Sequence, residues 1–404
     1  MRILFISDVY FPRINGVSTS MQTFSRELRR LGHHITLVVP DYGQGSPAEA
    51  GVLRIPSRGV WLDPEDRMMH YRALTDLEER LRGENHDLIH IHTPFVAHYA
   101  GLRLARRLKL PRVETYHTFF EEYLYHYVPF LPRGTLRYAA RRLARTQCNA
   151  VDALVVPSAA MAEVLKDYGV TTPMEILPTG IELERFTGGD GARFRAAHGI
   201  APQRPVLLHV GRVAFEKNIV FLLRVLCRVR LELPEALLII AGEGPAIHAL
   251  RREALALGVF DNILFVGNMD RTTALLDCYR AADVKLFASR TETQGLVLLE
   301  AMALGVPVVS TAVMGTRDVL RRGCGALVAE EDEAQFAAAV LRVLRNPALA
   351  QELGAAGREY VKYWSAPVLA RRMETLYSRL VSAQGVGVDS PLGASARRRK
   401  NLQG

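Results

Sequence analysis

Short apolar runs alternate with longer amphipathic stretches along almost the whole chain, and this alternation leaves few folds open. In the first half RILFIS (2–7), ITLVVP (35–40), DLIHIH (87–92), RVETYHT (112–118), DALVVPS (152–158) and MEILPTG (174–180) read as strands. The second half repeats the pattern with VLLHVG (206–211), ALLIIAG (236–242), NILFVG (262–267), VKLFAS (284–289), PVVST (307–311) and GALVA (325–329). Helical stretches separate them, such as SMQTFSRELRRLG (20–32), closed by Gly32. Strands that are apolar throughout belong to parallel sheets covered on both faces. The expected fold class is therefore α/β, with two tandem Rossmann-like doubly wound domains facing a cleft where strand ends and helix starts meet.

The pattern pauses at ERFTGGDGARFRAAHGIAPQRP (184–205), whose glycines and charges suit a linker with a short helix. The expected domains are 1–183 and 184–365. A helix over 366–383 is expected to pack back on the first domain, and a basic tail over 384–404 is expected to be disordered. With 404 residues, 49% of them hydrophobic, the chain can fill two cores. Its four cysteines are far apart and form no CxxC pair, which speaks against a disulfide framework or a zinc site and for a reducing compartment. The start, MRILFISDVYFPRING, does not read as a signal peptide because Asp8 interrupts the apolar run. No stretch has the ~18 apolar residues of a spanning helix. The net charge of +9 points to an anionic partner without saying whether that is a nucleotide, a nucleic acid or a membrane.

The chemistry concentrates at strand ends. In RTETQGLVLLEAMALGVPVVST (290–311) Glu292 falls in the strand-to-helix loop and Glu300 inside the helix. The amides of Gln294, Gly295 and Leu296 open that helix and suit an anion such as a diphosphate, and Gly295 allows close approach. Glu300 is one and a half turns further on, roughly 7 Å along the axis, where a carboxylate can accept two ribose hydroxyls. The same pair also reads as two exposed glutamates on a helix start. In HVGRVAFEKN (209–218) Arg212 can fork to phosphate oxygens and Lys217 can add a point charge, or the loop is simply basic and solvated. Gly16 in FPRINGVST (11–19) either admits a ligand or shapes a turn. His117, at the end of a strand, is a candidate for a phosphate or sugar contact or for proton transfer, or is a satisfied core histidine. His90 and His92 alternate on another strand, but no Cys or Asp completes a metal set with them, and the chain has no D-x-D motif.

Taken together these stretches resemble glycosyltransferase family 4, retaining nucleotide-sugar transferases of the GT-B fold. The resemblance spans ILFISDVYFPRINGVS to the helices after 360. It rests most on Glu292 and Glu300 with AMALGVPVVST behind them, together with GRVAFEKN and PTGIELERF (178–186). It implies that Glu300 holds the ribose, that Glu292 holds hydroxyls of the transferred sugar, and that Arg212 and Lys217 clamp the diphosphate without a metal. It also implies phosphate contacts at Gly16, Gly295 and Leu296, and a place for His117 beside sugar and phosphate. Retention would follow front-face attack, the leaving phosphate taking the acceptor's proton. No cofactor is implied beyond the UDP- or GDP-sugar donor, and no nucleic acid. Gln294 stands where many members carry Phe and is grouped with the donor-binding residues.

YHTFFEEYLYHYVP (116–129) is similar to stretches in bacterial diacylglycerol glycosyltransferases, which implies glycolipid synthesis by a cytoplasmic enzyme peripheral to the membrane. RGTLRYAARRLARTQ (133–147) supports an anionic membrane surface as partner. Arg133, Arg137, Arg141 and Arg145 recur at four-residue intervals beside the aromatic, apolar YLYHYVPFLP (123–132). A solvated amphipathic helix is the other reading. The expected activity is hexosyl transfer to a membrane lipid such as diacylglycerol. The alternatives are a polysaccharide or lipid-linked glycan precursor as acceptor, and a nucleotide-sugar 2-epimerase.

Overall fold

A computed structural model of the chain describes residues 1–13, 15–43, 49–60, 63–117, 133–321 and 323–388. The aromatic stretch 123–132 and most of the 384–404 tail lie outside the described residues. The chain divides into two compact units, one of Met1–Val156, Leu165–Leu177 and Ala370–Gly404, the other of Pro157–Val164 and Pro178–Leu369. The expected boundary at 183/184 thus moves to 177/178. Backbone contacts explain the shift: Ile181 N–H donates to Trp364 O, and Ala366 N–H donates to Ile181 O, so the 178–181 segment is held by the second unit.

The first unit contains β1 (Arg2–Ile6), β2 (His34–Pro40), β3 (Val52–Ile55), β4 (Ser57–Val60), β5 (Asp63–Met69), β6 (Leu88–Ile91), β7 (Arg112–Thr115), β8 (Ala153–Val156) and β9 (Met174–Ile176). Seven of them form one parallel sheet in the order β3-β2-β1-β6-β7-β8-β9, and β4 and β5 form a separate antiparallel pair. The second unit contains β10 (Val206–Val210), β11 (Leu237–Ala241), β12 (Ile263–Gly267), β13 (Val284–Phe287), β14 (Val308–Ser310) and β15 (Ala326–Val328), in the order β12-β11-β10-β13-β14-β15. This is the doubly wound order, with its switch point between β10 and β13. β10 is buried along its whole length, and its residues alternate between two apolar cores. Val206, Leu208 and Val210 pack on one face of the sheet and Leu207 on the other, which is why the strand reads as a continuous apolar run.

The helices α1 (Gly16–Arg30), α2 (Tyr71–Gly83), α3 (Val96–Leu108) and α4 (Arg133–Cys148) belong to the first unit. α1 starts earlier than the apolar periodicity indicates. Asn15 and Ser18 form a capping box, each side chain accepting from the other's backbone N–H at 2.9 Å. Gly16 is therefore the first residue of the helix rather than part of the turn before it. The final helix, Ala366–Val388, joins the first unit from Ala370 onward. There Tyr377 is fully buried with its hydroxyl 2.5 Å from His90 Nδ1, and Arg372 donates to Ile176 O at 2.7 Å.

Candidate active site

In the second unit the loops leaving β10 and β13 flank the switch point. After β10 the backbone passes through Gly211 and Arg212 into a short 3-10 turn, Phe215–Lys217. This loop lies on the one that follows β11. A Cβ on Gly242 would sit 2.0 Å from Gly211 O, and one on Gly244 would sit 2.4 Å from Val213 O. Both glycines have positive φ, +134° and +155°. Two glycines thus allow backbone-to-backbone contact that fixes the stem of Arg212. Arg212 is exposed and has no ion-pair partner among the described residues.

After β13, Ser289 Oγ and Arg290 N–H both donate to Glu216 O, which stitches this loop to the 3-10 turn. Across the seam Lys217 Nζ donates to Glu292 Oε2 at 2.7 Å, both side chains being about one-fifth exposed. Glu292 also accepts Gly315 N–H at its backbone oxygen, 2.9 Å away. Gly295, with φ +95°, caps the helix Leu296–Ala303 without any side-chain cap, so its first amides are not taken by a capping side chain.

Glu300 is buried within that helix. Its two oxygens have separate partners: Tyr279 donates its hydroxyl to Oε2 at 2.8 Å, and Arg271 pairs with Oε1. Tyr279 is fully buried, whereas the Arg271 side chain is 45% exposed. Gln294 is engaged in another way. Its Oε1 accepts Thr179 N–H and its Nε2 donates to Thr179 O, each at 2.7 Å. The side chain grouped with donor contacts in the sequence thus braces the 178–181 segment.

Two further groups lie behind this site. Lys285 is fully buried in β13, donates to Val210 O at 3.3 Å, and is pushed down to about 7 by burial. His209 on β10 is buried with neither ring nitrogen hydrogen-bonded, and burial first, then Lys285 and Lys217, hold it well below the usual imidazole range. A lysine inside VKLFAS and a histidine beside GRVAFEK were visible as charges in apolar strands. Arg271 and Tyr279 carried no local signal.

In the first unit Asp8 follows β1 and ties the segment after it to the start of α3. It accepts Ala97 N–H at 3.0 Å and the Thr93 hydroxyl at 2.8 Å, and burial raises it to about 6. A Cβ at Gly16 would meet no protein atom within 4 Å, so packing inside the protein does not require glycine there. His117, half-buried beyond β7, stacks on His92 with ring centroids 5.6 Å apart and Nε2 3.3 Å from His92 Nδ1. Burial pushes His117 down to about 4. His90 spends both nitrogens on Tyr377 and on Thr115 Oγ1, 2.7 Å away, so the three imidazoles are adjacent without converging on a point.

The model of the family described as Glycosyltransferase Family 4 matches residues 14–185, and that described as Glycosyl transferases group 1 matches residues 190–360. The chain is 33% identical over 318 residues to the alpha-monoglucosyldiacylglycerol synthase of Streptococcus pneumoniae, covering 77% of this chain and 71% of that protein. It is 28% identical over 400 residues to the synthase of the same name from Acholeplasma laidlawii, covering 94% of this chain and 98% of that protein. Its fold is similar to that of a sucrose-phosphate synthase from Thermosynechococcus elongatus, with a TM-score of 0.76 at 23% identity, covering 95% of this chain and 99% of that one.

Proposed function

The chain belongs to the family 4 glycosyltransferases, of GT-B fold and related to bacterial glycolipid synthases, and from this premise we propose that it moves a hexose from a UDP- or GDP-sugar to the hydroxyl of a membrane lipid such as diacylglycerol, with retention at the anomeric carbon. The observation that carries this is the cluster at the β10/β13 switch point: Arg212 exposed, Lys217 on Glu292, and Glu300 beyond the open helix start at Gly295. In this reading Arg212, Lys217 and the amides at Gly295 and Leu296 take the diphosphate. Glu300 takes the ribose while Tyr279 keeps hold of its second oxygen. Glu292 takes hydroxyls of the sugar. The bond from the anomeric carbon to the leaving phosphate breaks as the bond to the acceptor oxygen forms. The acceptor's proton passes to the departing phosphate oxygen, whose charge the cations stabilise.

The lipid acceptor is supported by the names of the two relatives and by the exposed arginines of α4. The attachment in this reading is peripheral, on the cytoplasmic face, and no described helix is long and apolar enough to cross a membrane. The test is a donor panel of UDP- and GDP-sugars with diacylglycerol vesicles, reading free nucleotide and glycolipid. Transfer to a soluble sugar but not to lipid overturns the acceptor assignment, and donor consumption without any acceptor favours an epimerase. Glu300→Ala is expected to weaken nucleotide binding by about 1–3 kcal/mol, and unchanged affinity removes the ribose role. Since no metal enters this scheme, a chelator is expected to leave turnover intact, and its complete loss would overturn that part.

A further inference from the structure

We propose that the outward face of α3, with the start of α2, is a binding pocket for the phosphodiester of an anionic glycerophospholipid, separate from the donor site. The pocket rests on the membrane side of the function proposed above and not on the identity of donor or acceptor. A cavity of about 390 Å³ is lined by Tyr71, Tyr99, Leu102, Arg103, Arg106 and Arg107. All but Tyr71 come from α3, at spacings of three and four residues that place Tyr99, Leu102, Arg103 and Arg106 on one helical face.

The opposite face of α3 is fixed. Ala97, Ala100, Leu104 and Ala105 are buried, and a Cβ on Gly101 would lie 2.7 Å from Ile91 Cγ1. Asp8 holds the helix start through Ala97 N–H. The cavity wall is therefore a rigid helix close-packed on the sheet. α3 contains no acidic residue, and none of Arg103, Arg106 and Arg107 has a carboxylate partner among the described residues. The helix dipole accounts for two cations in the last turn, but not for a third one turn earlier facing the same cavity as two tyrosines. Guanidinium forks fit phosphate oxygens in pairs, and a pocket of this volume suits a headgroup.

The apolar surround favours a lipid over free phosphate. Tyr71 is 40% exposed, Tyr99 52% and Phe95, one turn before Tyr99, 57%. Aromatic bodies with polar tips beside cations are the groups found at a bilayer interface. α4 meets the same region, where Gln147 Nε2 donates to Pro94 O at 2.7 Å. Elsewhere along its length α4 carries exposed Arg137, Tyr138, Arg141 and Arg142.

The experiment uses the full chain and flotation with vesicles of phosphatidylcholine containing phosphatidylglycerol. The pocket variant, Arg103→Gln with Arg106→Gln and Arg107→Gln, is compared with a variant of equal charge loss on α4, Arg137→Gln with Arg141→Gln and Arg142→Gln. Thermal melting checks that both are folded. The pocket variant is expected to lose about tenfold or more in vesicle affinity and several-fold more than the α4 variant. Tyr99→Ala, which changes no charge, is expected to lose affinity as well. Equal losses in the two triple variants mean diffuse attraction and overturn the pocket. So does inorganic phosphate binding as tightly as the vesicles and independently of Tyr99. Transfer to detergent-dispersed diacylglycerol by the unmodified chain is read alongside. Its absence with pocket-dependent vesicle binding defeats the acceptor assignment alone, and its presence with pocket-independent binding defeats the pocket alone.

Discussion

Gln294→Ala separates a brace from a ligand contact. The native side chain makes two 2.7 Å hydrogen bonds with the backbone of Thr179, a residue only 8% exposed. Each such bond contributes about 1 kcal/mol net, and stranding its buried partner costs about 1–3 kcal/mol. Solvent at the margin of Thr179 relieves part of that, so about 2 kcal/mol is the working figure. For a unit of roughly 200 residues this lowers the melting temperature by roughly 4–8 °C. Gln294→Glu is the sharper variant. Its carboxylate keeps an acceptor for Thr179 N–H but turns a donor into a negative oxygen facing Thr179 O, so it is expected to destabilise at least as much as Ala. The assay is differential scanning calorimetry beside nucleotide titration. A melting shift within 1 °C together with a tenfold loss of UDP or GDP affinity would refute the brace and return Gln294 to the donor.

Three other perturbations address the same architecture. Glu292→Gln is expected to lower turnover at least tenfold more than nucleotide affinity, measured by steady-state kinetics and direct titration; equal losses would make it a binding residue only. Gly242→Ala places a methyl 2.0 Å from Gly211 O on a backbone of φ +134°, so about 2 kcal/mol or more of stability is expected to go, with the loop that carries Arg212 loosened; urea midpoints and nucleotide affinity read both. Stability is expected to fall as pH drops from 6.5 toward about 4, because His86, His90, His92, His117 and His209 are all shifted down by burial and take up protons more readily when unfolded. Asp8 and Glu114, both raised by burial, pull the other way in the acidic range. Lys285 adds a slope of the imidazoles' sign between about 7 and 10.5. Urea midpoints that do not change between pH 7 and 5 would contradict the balance of five imidazoles against two carboxyls.

What could be read in the sequence was what repeats locally. A strand covered on both faces needs apolar residues at every position, so β1, β6, β8, β10 and β11 announce themselves. β3 to β5 did not, because VLRI is only partly buried and SRGV and DPEDRMM are charged and paired at a margin. The same division holds at the site. Glu292, Gly295 and Glu300 lie on one loop and helix, and Arg212 and Lys217 on one loop, so each group stands as a short local motif that the sequence marks as a candidate. The partners that decide their state are distant in sequence: Lys217 is 75 residues from Glu292, and Thr179 is 115 from Gln294. Arg271 and Tyr279 lie on a turn and helix that had no chemical signature of their own. Side chains whose job is to hold backbone across such separations leave only a composition signal, a polar residue in an apolar neighbourhood.

The two glutamates differ in how they would meet a donor, and the difference follows from their cations. An ammonium has three donors, so Lys217 can keep Glu292 at 2.7 Å and still reach a phosphate oxygen. Diphosphate and sugar would then be held through one shared charge, which links leaving-group stabilisation to sugar placement. Both oxygens of Glu300 are engaged in the free chain, one by Tyr279 and the other by Arg271. Each oxygen keeps a second lone pair for a ribose hydroxyl, and if one partner has to move aside, the two differ in what that costs. Tyr279 is fully buried, and stranding its hydroxyl would carry the cost of an unpaired polar group, whereas Arg271 is nearly half exposed and water can receive it. Arg271 is therefore the partner that yields. Under the proposed ribose role, nucleotide affinity would measure the exchange of an ion pair for hydroxyl contacts rather than the contacts alone, so Arg271→Ala would remove a competitor instead of a support.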